Sequence, residues 1–299
     1  MITGYFMIDR VSFRIRRFET TWLHTMFYAL GFPLAAFLIS PDILHFKIIA
    51  EVFYLDLGYW FVEKYLGLIL IAPFLARLAS ILTKQSYQLL LVVLGIINVT
   101  IYAPLATQMG EVTHGISLTW FVFLFFVAGY IRRYAPLKGS TKVLPLFLLT
   151  WIINFVYVLC ERYLTDSLST PIPYLPYNGI IFFESLFLFL LFRDFDFKSK
   201  MWQPFIALAP YTFGIYLIHE NHFVSYYLWQ GAYSPMHIIN SGHLVPYIII
   251  LSLGIFLICA IFDSMRACIV KGLRLEKALT LFNRYLYDRL SAYFSFLNC

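Results

Sequence analysis

The sequence predicts an all-α protein: a polytopic membrane helix bundle of about eight transmembrane helices, followed by a C-terminal amphipathic helix. Three observations lead to this prediction. Hydrophobic residues make up 61% of the 299 residues and charged residues only 13%, whereas a soluble domain carries about 25% charged residues. The apolar residues are gathered into long runs, as in membrane proteins. The lysines and arginines are concentrated in alternate connecting segments, which is typical of a chain that crosses a membrane repeatedly.

Eight apolar runs are close to the length of about 20 residues that a helix needs to cross the hydrocarbon. Strands of a membrane barrel need only about 9–11 residues, and in lipid only helices or closed barrels satisfy their backbone polar groups. The lengths therefore favour helices. In chain order, the predicted spans are 20–39, 60–80, 86–105, 116–131, 143–160, 177–193, 204–221 and 245–263.

The positive charges predict the orientation of these spans. With the N-terminus inside, 19 of the 22 lysines and arginines fall on inner segments, and the outer side keeps only Lys47, Lys64 and Arg162. Cytoplasmic loops carry such an excess of cations. We therefore predict a multi-pass integral protein of the cytoplasmic membrane, with both termini cytoplasmic. The net charge of +6 reflects this orientation, and no nucleic-acid partner is expected.

The residues after Lys271 predict a separate element. Leu275, Leu279, Phe282 and Leu286 recur at i, i+4, i+7 and i+11, which places them on one face of a helix. This pattern favours an amphipathic helix on the inner leaflet, and a soluble packing helix is the alternative. The predicted domains are thus a membrane domain, 1–271, and a cytoplasmic helical tail, 272–299.

An ionisable pair, His219 and Glu220, lies near the outer end of the seventh predicted span. Ionisable side chains at membrane depth are costly and usually mark a functional site. His219 could carry a proton or hydrogen-bond a sugar hydroxyl. It could equally bond to a neighbouring helix, because buried polar groups need partners in either case.

Three arginines, Arg14, Arg16 and Arg17, precede the first span. They fit an ordinary inner-side cluster of positive charge. They also fit a site for the phosphates of a cytoplasmic donor, because the planar guanidinium binds phosphate oxygens in pairs.

Two further ionisable groups are expected to find partners inside the bundle. Glu184 lies in the sixth span and should face a donor there. Asp263 and Arg266 are three residues apart at the inner end of the last span, where a helical ion pair is expected. The sequence contains no P-loop, GxSxG or HExxH motif and no cysteine–histidine spacing of a metal site, so neither a soluble hydrolase or ATPase nor a bound metal is predicted.

Four segments together resemble the acyltransferase-3 family, the integral membrane O-acyltransferases that modify cell-surface sugars, and most closely its bacterial branch that acetylates exopolysaccharide or O-antigen. They are ITGYFMI at 2–8, WFVEKYLGLILIAPFL at 60–75, WFVFLFFVAGYIRRY at 120–134 and FGIYLIHE at 213–220. Each segment alone is modest, but all four occur in the order and at the intervals of that family.

The chain also departs from the family pattern. Members usually have about ten helices, and the segment similar to residues 2–8 normally follows the second helix. About two helices, with the first-helix histidine that serves as base, are therefore expected to be missing. His24 follows the Gly-Tyr-Phe segment and so does not correspond to that histidine. The family's cytoplasmic RxxR pair corresponds to Arg14 and Arg17, or in another alignment to Arg17 and Thr20, which breaks the motif.

The resemblance implies an enzyme that transfers an acyl group, with acetyl expected, from cytoplasmic acyl-CoA to a hydroxyl of a cell-surface or lipid-linked saccharide. Acyl-CoA would be a co-substrate rather than a tightly bound cofactor, and Arg14 and Arg17 would hold its phosphates. A base would take the hydroxyl proton, and fixed donors would stabilise the oxyanion. His219, with Glu220 beside it, is the candidate base. The expected partners are membrane lipids, acyl-CoA and the glycan acceptor.

Two other functions remain open. A glycolipid or polysaccharide transporter also needs a helical bundle with outer-facing polar groups, and it predicts inverted repeats or broken helices; the sequence has no internal repeat. A truncated, inactive acyltransferase-like protein would also fit the expected loss of helices.

Overall fold

The structure of the protein is a computed structural model. It describes residues 1–12, 15–39, 59–101, 117–135, 140–165, 179–229, 234 and 242–273. These residues are helical with short connections, and they contain no β-strand. The all-α class is therefore confirmed for this part of the chain. The predicted tail, 272–299, lies outside the described residues beyond Leu273.

The helices follow the predicted apolar runs in order. They are α1 (Ile2–Met7), α2 (Ile15–Ile39), α3 (Trp60–Ile81), α4 (Lys84–Gly95), α5 (Leu118–Tyr134), α6 (Ser140–Thr165), α7 (Gly179–Asp194), α8 (Gln203–Leu208), α9 (Thr212–His219), α10 (His222–Trp229) and α11 (Leu244–Gly272). Side chains cap two of them, because Thr83 Oγ1 accepts from the Ser86 amide at α4 and Ser117 Oγ from the Trp120 amide at α5.

Two predicted spans are less regular than expected. The third continues from α4 into a π-helical turn, Ile96–Ile101. The seventh, predicted as one helix over 204–221, consists of the short helices α8 and α9 with a 3₁₀ turn, Ala209–Tyr211, between them, and another 3₁₀ turn, Lys200–Trp202, precedes it. A proline lies in the first turn of α8 and of the second 3₁₀ segment. Because proline lacks an amide N–H, it favours the start of a helix and interrupts its interior.

The chain forms two compact units, and the division into a membrane domain, 1–271, and a tail, 272–299, stays a prediction. Unit 1 consists of Met1–Phe13 and Gly67–Phe197, and unit 2 of Arg14–Leu66 and Lys198–Cys299. Helix α3 contributes its first two turns to unit 2 and the remainder to unit 1. The residues predicted to carry chemistry, Arg14, Arg17, His219 and Glu220, all belong to unit 2.

In unit 1, α1 packs against α5 at very short range. A Cβ atom on Gly4 would lie 2.5 Å from the carbonyl oxygen of Phe125, and one on Gly129 would lie 2.5 Å from Ile8 Cγ1. Neither glycine can be replaced without a shift. Small residues that let two backbones approach are typical of helix contacts in membranes, where helix association relies on close packing.

The end of α1 is held by an ion-pair cluster. Asp9 accepts hydrogen bonds from Arg132 Nε at 2.7 Å and Arg133 Nε at 3.0 Å. Arg133 also donates to the carbonyl oxygens of Ala79 and Ile8. Burial raises the pKa of Asp9, but the hydrogen bonds and charges of the two arginines outweigh it, so the pKa lies below its ordinary value.

This lowered pKa predicts a pH-dependent contribution to stability. The contribution is fully present above the unfolded-state pKa of about 3.9 and is lost as the pH falls through the lower folded-state pKa. Asp9→Asn is therefore expected to lower the unfolding temperature of detergent-solubilised protein near neutral pH, and the deficit should vanish in strong acid. Glu63→Gln is the control, because the exposed Glu63 pairs with its sequence neighbour Lys64 and with no other described residue, and such surface pairs contribute little. A deficit that does not depend on pH would contradict the assignment.

In unit 2, a buried apolar cluster joins α2, the start of α3, α9 and α11. Its members are Tyr28, Ala29, Tyr59, Val62, Leu66, Ile215, Leu217, Ile218, Cys259 and Ala260. The helix that carries the FGIYLIHE segment thus lies among the other three.

Helices α3 and α11 are long and apolar enough to cross a membrane. The two differ in burial, because 39% of the apolar window of α3 is buried but only 11% of that of α11. Along its 29 residues, α11 buries only Cys259, Ala260 and Asp263. Large apolar side chains such as Ile250 and Phe262 are exposed, while the carboxylate is fully buried. This pattern is the reverse of that in a water-soluble protein.

Candidate functional site

Arg14 lies outside the described residues, and Arg17 contacts an aromatic residue. Arg17 Nη2 donates a hydrogen bond to the hydroxyl of Tyr65 at 2.9 Å, and the guanidinium carbon is 6.0 Å from the centre of the same ring. The guanidinium of Arg17 has no other hydrogen-bond partner among the described residues, and its backbone carbonyl accepts from the hydroxyls of Thr20 and Thr21. The guanidinium is therefore oriented by one contact and keeps donors for a further ligand.

The sequence did not predict the contact between Arg17 and Tyr65. The predicted orientation puts Arg17 on the inner side and Tyr65 five residues beyond the outer start of the second span. A phenol offers an acceptor and a ring face to a guanidinium, and the structure brings these two groups together.

His219 and Glu220 lie together at the end of α9, as neighbours in sequence must, and both are partly exposed. His219 Nδ1 lies 2.7 Å from the carbonyl oxygen of Ile215, so this nitrogen carries a proton and donates. Nε2 lies 3.3 Å from Glu220 Oε1. The Glu220 side chain is 40% exposed, so water screens its charge. Both ring nitrogens thus face oxygen acceptors, an arrangement better suited to donating hydrogen bonds than to accepting a proton.

The turn that follows His219 is fixed by a buried network. The hydroxyl of Tyr59 donates to the carbonyl oxygen of Leu217 at 2.6 Å, and Asn221 Nδ2 donates to the same hydroxyl at 2.9 Å. Asn221 Oδ1 accepts from the amide of Phe223. Because these groups are buried and satisfied, the network holds the His219–Glu220 pair rigidly at the end of α9.

A second ionisable cluster surrounds Asp263. Asp263 Oδ1 accepts hydrogen bonds from His24 Nε2 at 2.8 Å, the Tyr28 hydroxyl at 2.8 Å and Arg266 Nε at 2.6 Å. Oδ2 accepts from Arg266 Nη2 at 3.2 Å. The Asp263 side chain is fully buried, whereas those of His24 and Arg266 are 13% and 15% exposed. We call these four residues the Asp263 cluster.

Helix α9 covers this cluster with Phe213 and Gly214, the first two residues of the FGIYLIHE segment. The ring of Phe213 lies edge-on to His24, with ring centres 5.1 Å apart. Gly214 contacts Asp263 so closely that a Cβ atom would overlap the carboxylate. The glycine therefore lets the carboxylate lie against the helix backbone.

The geometry defines what the Asp263 cluster can do chemically. An ionised carboxylate in an apolar surrounding is very costly unless it is paired and hydrogen-bonded, and here both oxygens are engaged. Because His24 Nε2 donates to Asp263, its other ring nitrogen carries the lone pair in the neutral imidazole. No hydrogen-bond partner of Nδ1 occurs among the described residues. A carboxylate that orients an imidazole in this way is the arrangement of a general base.

Sequence reasoning found part of this arrangement. The predicted pair of Asp263 and Arg266 is confirmed, and so is the expectation that Glu184 faces a donor, because Asn154 Nδ2 lies 3.2 Å from its carboxylate. His24 and Tyr28 were missed as partners of Asp263. The signal was a stripe in α2, since Arg17, Thr21, His24 and Tyr28 recur at i, i+4, i+7 and i+11.

Unit 1 contains an apolar cavity of about 320 Å³ between α1, α5 and α7. Its walls include Ile2, Trp120, Leu124 and Phe189, and none of the predicted site residues lines it. The polar chemistry described above thus belongs to unit 2.

No protein-family model, curated protein or solved structure matches the chain.

Proposed function

We propose that the chain is an integral membrane O-acyltransferase that transfers an acyl group, acetyl in the first instance, from cytoplasmic acyl-CoA to a hydroxyl of a cell-surface or lipid-linked saccharide. One observation carries the proposal. Helix α9, which bears the FGIYLIHE segment, packs on the buried Asp263 cluster at its start and presents His219 and Glu220 at its end. The two ends are five residues apart, or about 7.5 Å along the axis.

The inverted burial of α11 supports the membrane location. Its apolar side chains face outward and its carboxylate faces inward, and ionisable groups inside a membrane bundle mark substrate or proton sites. Some contacts support eight spans with both termini cytoplasmic, since they join residues on one predicted face, whereas the contact between Arg17 and Tyr65 joins residues predicted at opposite ends of their spans. Asp9 meets Arg132 and Arg133 on the inner side, and Tyr59 meets Leu217 on the outer side.

In this proposal, each candidate residue has one role. Arg17, with Arg14 three residues earlier, binds phosphate oxygens of the donor. His219 and Glu220 bind the acceptor saccharide, because the exposed pair offers a donor and an acceptor for sugar hydroxyls. The partners are thus acyl-CoA, the glycan and the surrounding lipid.

A sided transfer assay tests the function. Membrane vesicles carrying the chain would be incubated with radiolabelled acetyl-CoA and a prenyl-linked disaccharide. We expect acetylated disaccharide from inside-out vesicles and none from sealed right-side-out vesicles, because acetyl-CoA is charged and reaches only the exposed face. His219→Gln should raise the KM for the disaccharide about tenfold, which corresponds to one lost hydrogen bond, with little change in kcat. His222→Gln is the matched control at an exposed position.

A glycolipid or polysaccharide transporter is the second candidate, and the interrupted stretch from Lys200 to His219 favours it. Broken helices form the binding sites of many transporters. The same vesicles separate the two functions. Movement of the disaccharide across the membrane without acetyl-CoA, and with no acetylated product, would establish transport and contradict the acyltransferase. If the vesicles show neither movement nor acetylation of the disaccharide, the result supports the inactive acyltransferase-like protein.

A further inference from the structure

We propose that His24 is the general base of the acyl transfer and that Asp263 is its positioning residue; this inference rests on the proposed function. The proposal assigns the base to α2 and not to the histidine of the FGIYLIHE segment. It follows from the contacts of the two histidines.

The contact with Asp263 fixes the tautomer of His24. Its Nε2 lies 2.8 Å from Asp263 Oδ1, and a carboxylate oxygen only accepts hydrogen bonds. Nε2 therefore carries the proton, and Nδ1 carries the lone pair. Nδ1 has no hydrogen-bond partner among the described residues, so its lone pair is not engaged within them.

His219 has contacts that are less suited to a general base than those of His24. Its Nδ1 donates to the carbonyl oxygen of Ile215, so only Nε2 could act as a base. The carboxylate beside that nitrogen, Glu220, is 40% exposed and 3.3 Å away. The carboxylate beside His24 is fully buried at 2.8 Å. Burial keeps water from screening Asp263, so this carboxylate holds the imidazole more firmly than Glu220 can, while Arg266 Nε at 2.6 Å already compensates part of its charge.

The position of His24 on α2 aligns it with Arg17. Arg17 and His24 are seven residues apart, on one stripe of α2 and about 10 Å apart along the axis. A donor whose phosphates bind Arg17 would thus extend along this stripe towards His24. Among the described residues, the titratable groups in contact with His24 are Asp263 from α11 and Tyr28 from α2 itself, and Arg266 shares the same carboxylate oxygen of Asp263. From α9 the facing residues, Phe213 and Gly214, carry no charge.

In the proposed reaction, the acceptor hydroxyl oxygen attacks the thioester carbonyl carbon while its proton passes to His24 Nδ1. The new carbon–oxygen bond forms, the carbon–sulfur bond breaks, and the imidazolium returns the proton to the departing thiolate. The products are the sugar ester and CoA with a free thiol. Asp263 stays ionised throughout and holds the ring in place.

The test measures CoA thiol release from acetyl-CoA in the presence of the prenyl-linked disaccharide. His24→Gln keeps an N–H group for Asp263 but removes the base. It should lower kcat by about 10²–10⁴-fold and abolish the fall in rate on the acid side of the pH profile, whereas His219→Gln should keep that acid limb and change mainly the KM. A second variant, His24→Ala, should regain activity when imidazole is added, a rescue that a purely structural role does not predict.

The outcomes separate the two proposals. If the wild-type protein releases no CoA with the disaccharide, the acyltransferase function fails, and the role of His24 fails with it. If the wild-type protein is active but His24→Gln keeps its kcat or its acid limb, only the assignment of His24 is overturned. A kcat loss confined to His219→Gln would move the base to α9.

Discussion

Asp263→Asn is expected to destabilise the protein by about 3–5 kcal/mol, the usual cost of removing one partner of a buried ion pair. The substitution is nearly isosteric, so the loss is electrostatic. Arg266, with 15% of its side chain exposed, would be left without its carboxylate, and His24 and Tyr28 would lose a charged acceptor. The free energy of unfolding of detergent-solubilised protein, measured with increasing denaturing detergent, gives the value.

A double-mutant cycle makes this expectation specific. Arg266→Met alone leaves Asp263 with His24 and Tyr28 as partners. Combining it with Asp263→Asn removes both charges, so the double variant should lose clearly less than the sum of the two single losses. A strictly additive cycle, or a loss below about 1 kcal/mol for Asp263→Asn, would show that the Asp263 cluster does not stabilise the fold as its contacts indicate.

Gly214→Ala is expected to cost about 3 kcal/mol, at the upper end of the range for inserting one group into a filled site. The new methyl group would occupy the position of the Asp263 carboxylate. The carboxylate cannot turn away easily, because three residues hold it. Helix α9 would have to move off α11, which would also separate Phe213 from His24.

Gly254→Ala provides the matched control. Gly254 lies within α11 in the same unit, and a Cβ atom there would have no atom of the described residues within 4 Å. Alanine in a helix interior is favoured over glycine by about 1 kcal/mol, so this variant should be as stable as the wild type or slightly more stable. Equal unfolding energies for the two alanine variants would contradict the close approach of Asp263 to α9.

The helices could be predicted from the sequence because a span depends on the composition of about twenty consecutive residues. The predicted spans 60–80 and 245–263 correspond to α3 and to most of α11. The division of 204–221 was missed, although Pro204 and Pro210 were visible. An apolar run specifies burial or contact with lipid, but it does not specify whether each turn has α or 3₁₀ geometry.

The site could be predicted only where its partners are close in sequence. The pair of Asp263 and Arg266 follows from helical spacing. The bond between His24 and Asp263 joins residues 239 positions apart, and no spacing rule connects them. The adjacent pair of His219 and Glu220 is visible in the sequence, and it therefore gave the predicted base. The structure shows that the better-placed carboxylate belongs to a different helix.

The length of α11 has a consequence for the surrounding lipid. Its 29 residues extend about 43 Å, whereas a bilayer's hydrocarbon is about 30 Å thick. With Leu244 at the outer boundary, Asp263 lies about 29 Å deeper, at the opposite edge of the hydrocarbon. Tilt or local thickening would draw the carboxylate inward, and thinning would expose it to water. In the proposed orientation, the fatty-acid chain length of the host membrane therefore sets how dry the Asp263 cluster is.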